Sequence, residues 1–375
     1  MKLGIVGLPN VGKSTLFNAL TGAKAETGAY TNAGAKPNMG SAKVPDARLD
    51  WLAEYYHPKK YSPATIDFVD VAGVAKGGKG NEVFQAIRQT DALVQVVRCF
   101  EDEGIFLEPA DAARDAETFD MEMVLADMEL VDRRLERAKK AAKSGDKKAK
   151  REVEMCTALL EHLGDGKPAR TFPFGEEDKD ILVDGGLMTV KPVIYAANLS
   201  ETDMADYESN ANFAALKKLA AEQGAAVLPV AAKFEEDIAE MDAEEAAMFM
   251  EDLGLTETGL ARLITTSYDL LGYISFLTAG EDDVHAWTIV RGTKAPRAAG
   301  KIHSDIERGF IRAEVIAFED LKACGSIAAA REKGLFRLEG KDYVMKDGDI
   351  TNFRFNVPVV SFCQSGVKRT ESIVR

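Results

Sequence analysis

A chain of 375 residues, 46% hydrophobic and 29% charged, is too long for one ordinary compact core and predicts two or three globular domains. No run of about 18 apolar residues occurs, and the amino terminus passes straight from Lys2 to Gly7 in a strand pattern, so neither a membrane span nor a signal peptide is expected and the location is read as cytoplasmic. The formal net charge of −14 opposes indiscriminate attraction to nucleic acid or anionic lipid, so any RNA contact must come from a local basic patch. Cys99, Cys156, Cys324 and Cys363 lie far apart without C-x-x-C spacing, which argues for reduced thiols and against a zinc site or a disulfide framework.

From residue 1 to about 118, short apolar runs at Leu3–Val6, Thr65–Val69 and Leu93–Val97 alternate with helical stretches after Gly12 and at Asn81–Arg88. That alternation predicts an α/β fold with a mostly parallel sheet. Leu125, Met128, Val131, Leu135, Ala138 and Ala142 then recur at helical spacing, as do Ala149, Val153, Cys156, Leu160 and Leu163 after a Ser144-Gly145-Asp146 turn. Two matched apolar seams predict an antiparallel helical hairpin. Strand patterns return at Val193–Ala197 and Ala226–Val230 around a helix at Phe213–Gln223, so the α/β domain is interrupted by the hairpin and then resumed. From about Ile274 the texture turns to short β-branched and aromatic runs, Ala286–Val290, Arg312–Ile316, Asp342–Val344 and Thr351–Phe355, which predict a separate small β-rich domain.

Gly7-Leu-Pro-Asn-Val-Gly12-Lys13-Ser14 matches G-x-x-x-x-G-K-[ST] between an apolar strand and a helix, the context a P-loop requires. There, Gly7 and Gly12 let backbone N–H groups, including those of Val11 and Thr15, wrap phosphates. Lys13 reaches the outer phosphates and the Ser14 hydroxyl takes a Mg²⁺ position. Asp70-Val-Ala-Gly73 follows the Thr65–Val69 strand, where D-x-x-G holds Mg²⁺ through water and turns the backbone toward the γ-phosphate. Val74 comes next, where many relatives of this class carry the Gln that orients water. Asn198-Leu199-Ser200-Glu201 follows a later strand at the place of a base-recognition element. Guanine-specific proteins carry N-K-x-D there, because a carboxylate accepts from both guanine donors. Glu201 for Asp and Leu199 for Lys remove that clamp.

The loop, the Asn-x-x-Glu element, the hairpin between them and Ala299-Gly-Lys-Ile-His303-Ser-Asp-Ile-Glu-Arg-Gly-Phe-Ile-Arg312 together resemble the Obg-like ATPases, the YchF-type branch of the translation-factor-related P-loop class. The resemblance covers residues 1 to about 357. It implies an α/β P-loop NTPase domain with an inserted antiparallel helical hairpin and a carboxy-terminal β-grasp (TGS) domain. It also implies ATP preferred over GTP, Mg²⁺, ribosome association, and Asn10 as a K⁺ ligand beside the phosphates. The expected domains are 1–118 and 187–277 for the two parts of the nucleotide-binding domain, 119–186 for the helical insertion, 278–357 for the TGS domain and 358–375 for a tail. Departures are expected to slow hydrolysis and spare binding: Gly34 replaces the family's switch Thr, with Thr31 nearby, the segment from Ala75 to Asn81 is short, and Leu107 stands near the place of the family's candidate catalytic His.

Between Arg133 and Arg151, ten positive residues face only Glu136 and Asp146, at the turn end of the hairpin. Arg291, Lys294, Arg297 and Lys301 form a second run with no acid between them, and His303 is a candidate RNA contact. The expected protein is an ATP-binding, slowly hydrolysing, ribosome-associated factor that reaches ribosomal RNA through the hairpin tip and the TGS domain, with no membrane partner and working as a monomer. Two alternatives stay open: a GTPase of the same fold, and a nucleotide-gated RNA-binding module with negligible turnover.

Overall fold

The computed structural model describes residues 2–23, 37–71, 73, 81–143, 145–175, 178–182, 185–252 and 255–356. Thr31, Gly34, Val74, residues 75–80 and the tail 358–375 lie outside the described residues. In chain order the first half carries β1 (Lys2–Val6), α1 (Lys13–Thr21), β2 (Asn38–Lys43), α2 (Ala47–Tyr56), β3 (Lys60–Ser62), β4 (Thr65–Asp70), α3 (Asn81–Arg88), β5 (Ala92–Arg98), α4 (Ala112–Ala142) and α5 (Lys147–Gly164). There follow α6 (Lys179–Leu182), β6 (Val193–Asn198), α7 (Ala211–Glu222), β7 (Ala226–Val230), α8 (Ala232–Glu240), α9 (Ala243–Asp252) and α10 (Gly259–Leu270). The carboxy-terminal part adds β8 (Tyr273–Ala279), β9 (Asp283–Val290), α11 (Ala295–Ile302), α12 (Ser304–Arg308), β10 (Phe310–Ala317), α13 (Phe318–Cys324), α14 (Ile327–Glu332), β11 (Arg337–Glu339) and β12 (Asp349–Phe355).

The chain forms two compact units, Met1–Ala42 with Asp67–Leu263, and Lys43–Ile66 with Ile264–Arg375. In the first, six strands run in the order β2-β4-β1-β5-β6-β7, and β4, β1, β5, β6 and β7 pair in parallel. Every residue of β5 and β6 is buried, which is why both read as apolar runs, β6 up to Asn198 and β5 up to Arg98, interrupted only by Gln95, whose amide donates to the Ala116 carbonyl at 3.1 Å. Successive strands are added on opposite sides of β1, so its carboxyl end is the switch point where open α/β sheets bind ligands.

The hairpin is α4 against α5, closed by Gly145 in the left-handed region (φ 89°) and by Asp146, whose carboxylate accepts from Lys148 N–H at 2.9 Å. Its seam differs from the expected one. Leu125 is 51% exposed, whereas the neighbouring Val124 is buried with Val131, Leu135, Met155, Cys156, Leu159 and Leu163. The physical reason is that α4 serves two cores. Ala112, Ala116, Phe119 and Met123 pack into the core of the parallel-sheet unit, and only from Val124 onward does the helix face α5. The 118/119 boundary therefore falls inside one continuous helix.

In the second unit the strand order is β11-β10-β12-β8-β9-β3, with β8 and β9 antiparallel and β12 parallel to β8. With α11 packed by Ala295, Ala298 and Ala299 onto the core made by Phe276, Val315 and Phe353, this is a β-grasp arrangement. Residues 43–66, expected in the nucleotide-binding part, belong to this unit, where β3 pairs in parallel with β9. Asp342–Val344 is not a strand. Only Val344 makes an isolated bridge, to Lys294, in the turn before β12.

Phe119→Ala, which empties a fully buried site, is expected to cost about 3–5 kcal/mol, while Leu125→Ala stays within about 0.5 kcal/mol. Urea unfolding of the two variants checks the phase of α4 directly.

Candidate functional site

The loop after β1 is shaped by two glycines that no other residue can replace. At Gly7 (φ 141°) a Cβ would lie 2.5 Å from the Val96 carbonyl oxygen of β5, and at Gly12 (φ 99°) it would lie 2.4 Å from Asn198 Nδ2. Asn10, exposed at the crown of the loop, takes φ 65°, which Asn tolerates better than most residues. The N–H groups of Lys13, Ser14 and Thr15 open α1, whose first turn holds no acid and whose Gly12 cap supplies no side chain. An uncapped helix amino terminus with its partial positive charge is an anion site.

Lys13 is buried, and its ammonium donates to the Leu8 carbonyl at 2.6 Å. Burial lowers its pKa to about 8, against the attraction of Asp70. Asp70, at the end of β4, accepts from the Ser14 hydroxyl at 2.9 Å through Oδ2, while Oδ1 is buried without a hydrogen-bond partner. Burial raises the Asp70 pKa, opposed by Ser14, Lys13 and Asn38. A hydroxyl and an unsatisfied carboxylate oxygen side by side are hard oxygen donors of the kind Mg²⁺ takes. Gly73 passes over the lysine, since a Cβ there would stand 3.0 Å from Lys13 Nζ.

Asn198 ties this loop to the rest of the sheet edge. Its buried amide donates to the Val11 carbonyl at 2.9 Å and accepts from Ala232 N–H at 2.9 Å, linking the P-loop to the start of α8. Leu199 turns into the hydrophobic core, and its N–H donates to the Val230 carbonyl at 2.8 Å, so it presents no polar side chain to a base. Glu201 is exposed at the start of a 3₁₀ turn capped by Ser200, and makes no hydrogen bond or ion pair among the described residues. Gly7, Val11, Gly12, Lys13, Ser14, Asp70, Gly73 and Asn198 thus form one contacting assembly, and Glu201 is joined to none of them.

Ala231-Ala232-Lys233 was not singled out in the sequence, although it follows an apolar strand and Ala232 is the residue that Asn198 grips. Leu107 is fully exposed in the loop after β5, which Arg98 anchors by donating to the Glu108 and Pro109 carbonyls and by stacking on Phe106 at 3.8 Å. His303 acts within the fold, where its Nδ1 accepts from Asp305 N–H at 3.1 Å and caps α12.

A family described as 50S ribosome-binding GTPase matches residues 2–143, and the YchF-type GTPase carboxy-terminal family, described as a protein of unknown function, matches residues 273–356. The ribosome-binding ATPase YchF of Bacillus subtilis (strain 168) is 49% identical over an alignment of 364 residues that covers 94% of this chain and 99% of the relative. Obg-like ATPase 1 of Oryza sativa subsp. japonica is 40% identical over 368 residues, 95% of this chain and 92% of the relative. The solved structure of the Schizosaccharomyces pombe YchF GTPase superposes with a TM-score of 0.84 at 35% identity, covering 94% of this chain and 97% of that one. The chain belongs to the YchF family. YchF-type relatives are called ATPase in the first two cases and GTPase in the third, so base preference in this YchF-family chain has to be argued from its own residues.

Holding Lys13 charged in its buried position costs the free protein on the order of 3 kcal/mol at neutral pH, which a bound polyphosphate would offset. Because the folded value lies below the ordinary 10.5, the unfolded chain binds this proton more tightly, and the free protein gains stability as pH rises from about 8 to 10.5. Bound phosphates reverse the preference, so nucleotide affinity should fall as pH rises above about 8. Urea unfolding of the free protein and nucleotide titration calorimetry, each between pH 7 and about 10 and set against Lys13→Met, check the first and second sign respectively; a stability or an affinity independent of pH would contradict the corresponding one.

Proposed function

We propose that the chain is a Mg²⁺-dependent nucleoside triphosphatase that prefers ATP, turns it over slowly, and acts on the ribosome in the cytoplasm as a monomer. The observation that carries the nucleotide reading is the assembly of buried Lys13, the uncapped start of α1 and the Ser14–Asp70 pair, all locked beneath Asn198. Lys13 and the α1 N–H groups would hold the phosphates, Ser14 and Asp70 would hold Mg²⁺, and the metal would neutralise charge on the outer phosphates. Asn10, exposed at the crown of the loop, is the proposed K⁺ ligand, on the match of this position to the loop Asn of potassium-activated relatives. Leu107 supplies an apolar side chain with no proton to transfer, which favours slow turnover and keeps the second reading, a nucleotide-gated RNA-binding module, in view. Single-turnover hydrolysis with and without K⁺ separates the two, and unstimulated turnover near 1 s⁻¹, an ordinary enzyme rate, would rule out both slow readings.

Adenine preference rests on Glu201 and Leu199. A guanine clamp needs a short carboxylate held in place, whereas Glu201 is long, exposed and unsupported, and Leu199 is buried in the core. Guanine donors left without partners should weaken GTP relative to ATP by about ten- to a hundredfold. Competition calorimetry measures this, and equal or tighter GTP binding overturns the preference.

Of the two basic runs, the hairpin tip is the better candidate for ribosomal RNA. Lys294 is paired with Asp342 at 2.8 Å and Arg297 with Glu307 at 3.3 Å, so two of the four positive residues of the 291–301 run are met by acids outside it. At the tip, Lys140, Lys143, Lys147, Lys148 and Lys150 are exposed and form no ion pair among the described residues. Lys147 and Lys148 also stand at the positive end of the α5 dipole, where cations are unfavourable, so their placement does not serve the helix. Reversing Lys139, Lys140, Lys147 and Lys148 to Glu should remove much of the salt dependence of ribosome cosedimentation and leave ATP affinity unchanged, because the tip lies about 30 Å along α4 from the nucleotide fold at 1.5 Å per residue. Unchanged cosedimentation at every salt concentration would move the contact to the β-grasp unit.

A further inference from the structure

The carboxyl end of α3 is held by a segment that lies about a hundred residues away in sequence. Helix carboxyl ends leave carbonyls without intrahelical partners, and these are ordinarily met by a glycine turn or by water. Here the Lys191 ammonium donates to the carbonyls of Arg88, at 3.3 Å, and of Thr90, placing a cation where the helix dipole favours one. The contact is reciprocated, since Arg88 Nε donates to the Gly186 carbonyl at 3.3 Å. Residues 186–191 are therefore clasped to α3 at both ends.

The same short segment is clasped to the hairpin. Asp127 of α4, wholly buried, accepts from Met188 N–H at 3.0 Å and from Thr189 N–H and hydroxyl at 2.8 and 2.7 Å. A buried carboxylate committed to three donors on two adjacent residues has no freedom to exchange partners, because leaving any of them costs an unsatisfied group. Thr189 Oγ1 in turn accepts from Ala169 N–H at 3.0 Å, where the chain leaves α5. Residues 186–191 are thus a rigid splint with α3 on one side and α4 on the other.

The position of α3 gives the splint its meaning. This helix begins eight residues after Gly73, where a Cβ would stand 3.0 Å from Lys13 Nζ, and packs its Val83, Phe84 and Ile87 face on the hydrophobic core. We propose that Lys191 and Asp127 are positioning residues that couple α3 to the hairpin, so that nucleotide state at the Asp70–Gly73 turn is transmitted to α4 and load on α4 is transmitted back. The proposal rests on the nucleotide-binding reading above. Neither residue touches the phosphates or the metal pair, so the coupling is separable from binding.

Hydrogen–deuterium exchange of the full-length protein, with and without ATP and Mg²⁺, tests it without the ribosome. The parent protein should show ATP-dependent protection at residues 7–15 together with a change at residues 120–131. Lys191→Met, which keeps the apolar stem and removes the donors, should retain the first and reduce the second by about fivefold or more, the usual lower range of coupling between sites. Lys191→Arg should restore part of it. If Lys191→Met does not fold, Arg88→Leu opens the same clasp from the other side and carries the same expectation. A change at 120–131 that persists in these variants, or none in the parent while 7–15 are protected, overturns the coupling. Absent protection at 7–15 in the parent instead overturns the nucleotide reading and, with it, this proposal.

Discussion

The amide of Asn198 is the interaction on which the proposed nucleotide site depends. One side chain uses its donor on Val11 and its acceptor on Ala232, and so fixes the P-loop against the loop after β7 in a place where neither backbone group has water to fall back on. The approach is so close that Gly12 has no room for a Cβ. A side chain of the same size without both functions, such as Leu or Asp, would leave a buried carbonyl or N–H unpaired, a penalty of about 1–3 kcal/mol each. Phosphate binding by backbone N–H groups demands a fixed loop, because flexible donors would spend their attraction on being ordered. In the proposed function Asn198 would therefore serve the triphosphate end of the site through geometry, by fixing the loop.

Much of this was legible in the sequence because the residues are contiguous. The P-loop is a single stretch whose glycines are forced by backbone conformation, and β5 and β6 announce themselves because every one of their residues is buried. The place of Asp70 was legible from its position at the end of a strand, where its carboxylate meets the Ser14 hydroxyl. What could not be read were relationships between distant parts of the chain. The partner of Lys294 is Asp342, which local charge counting does not see. Residues 43–66 carry no sign that β3 will pair with β9, more than two hundred positions later.

Other misreadings have local physical causes. β2 has a single fully buried residue, Ala42, so it lacks the apolar run that marks the interior strands. α11 is built on alanines with a proline in its first turn, and its seam is too small in side-chain volume to stand out beside the basic residues on its other face. Leu125 falls out of phase because α4 passes from one partner to the other there, with Met123 and Ala126 still packed on the first core while Val124 already belongs to the second. Periodicity assumes one neighbour; α4 has two.

That division of α4 makes the base of the hairpin the place where direction is decided. Apolar packing holds helices together but tolerates small rotations, whereas a buried polar contact allows few geometries. At the base, Arg170 binds Asp120 of α4, Tyr195 of β6 and Gln223 next to α7, in addition to the Asp127 contacts with residues 188 and 189. Such a network adds little net stability, since its members must be desolvated and Asp120 Oδ1 and Arg170 Nη1 remain without partners. Losing one partner from it would nevertheless be severe, because a buried charge would be left alone. A set of contacts that contributes little to stability and much to orientation suits a helix whose far end carries the unpaired lysines, because at about 30 Å a rotation of a few degrees at the base moves the tip by a distance comparable to a hydrogen bond.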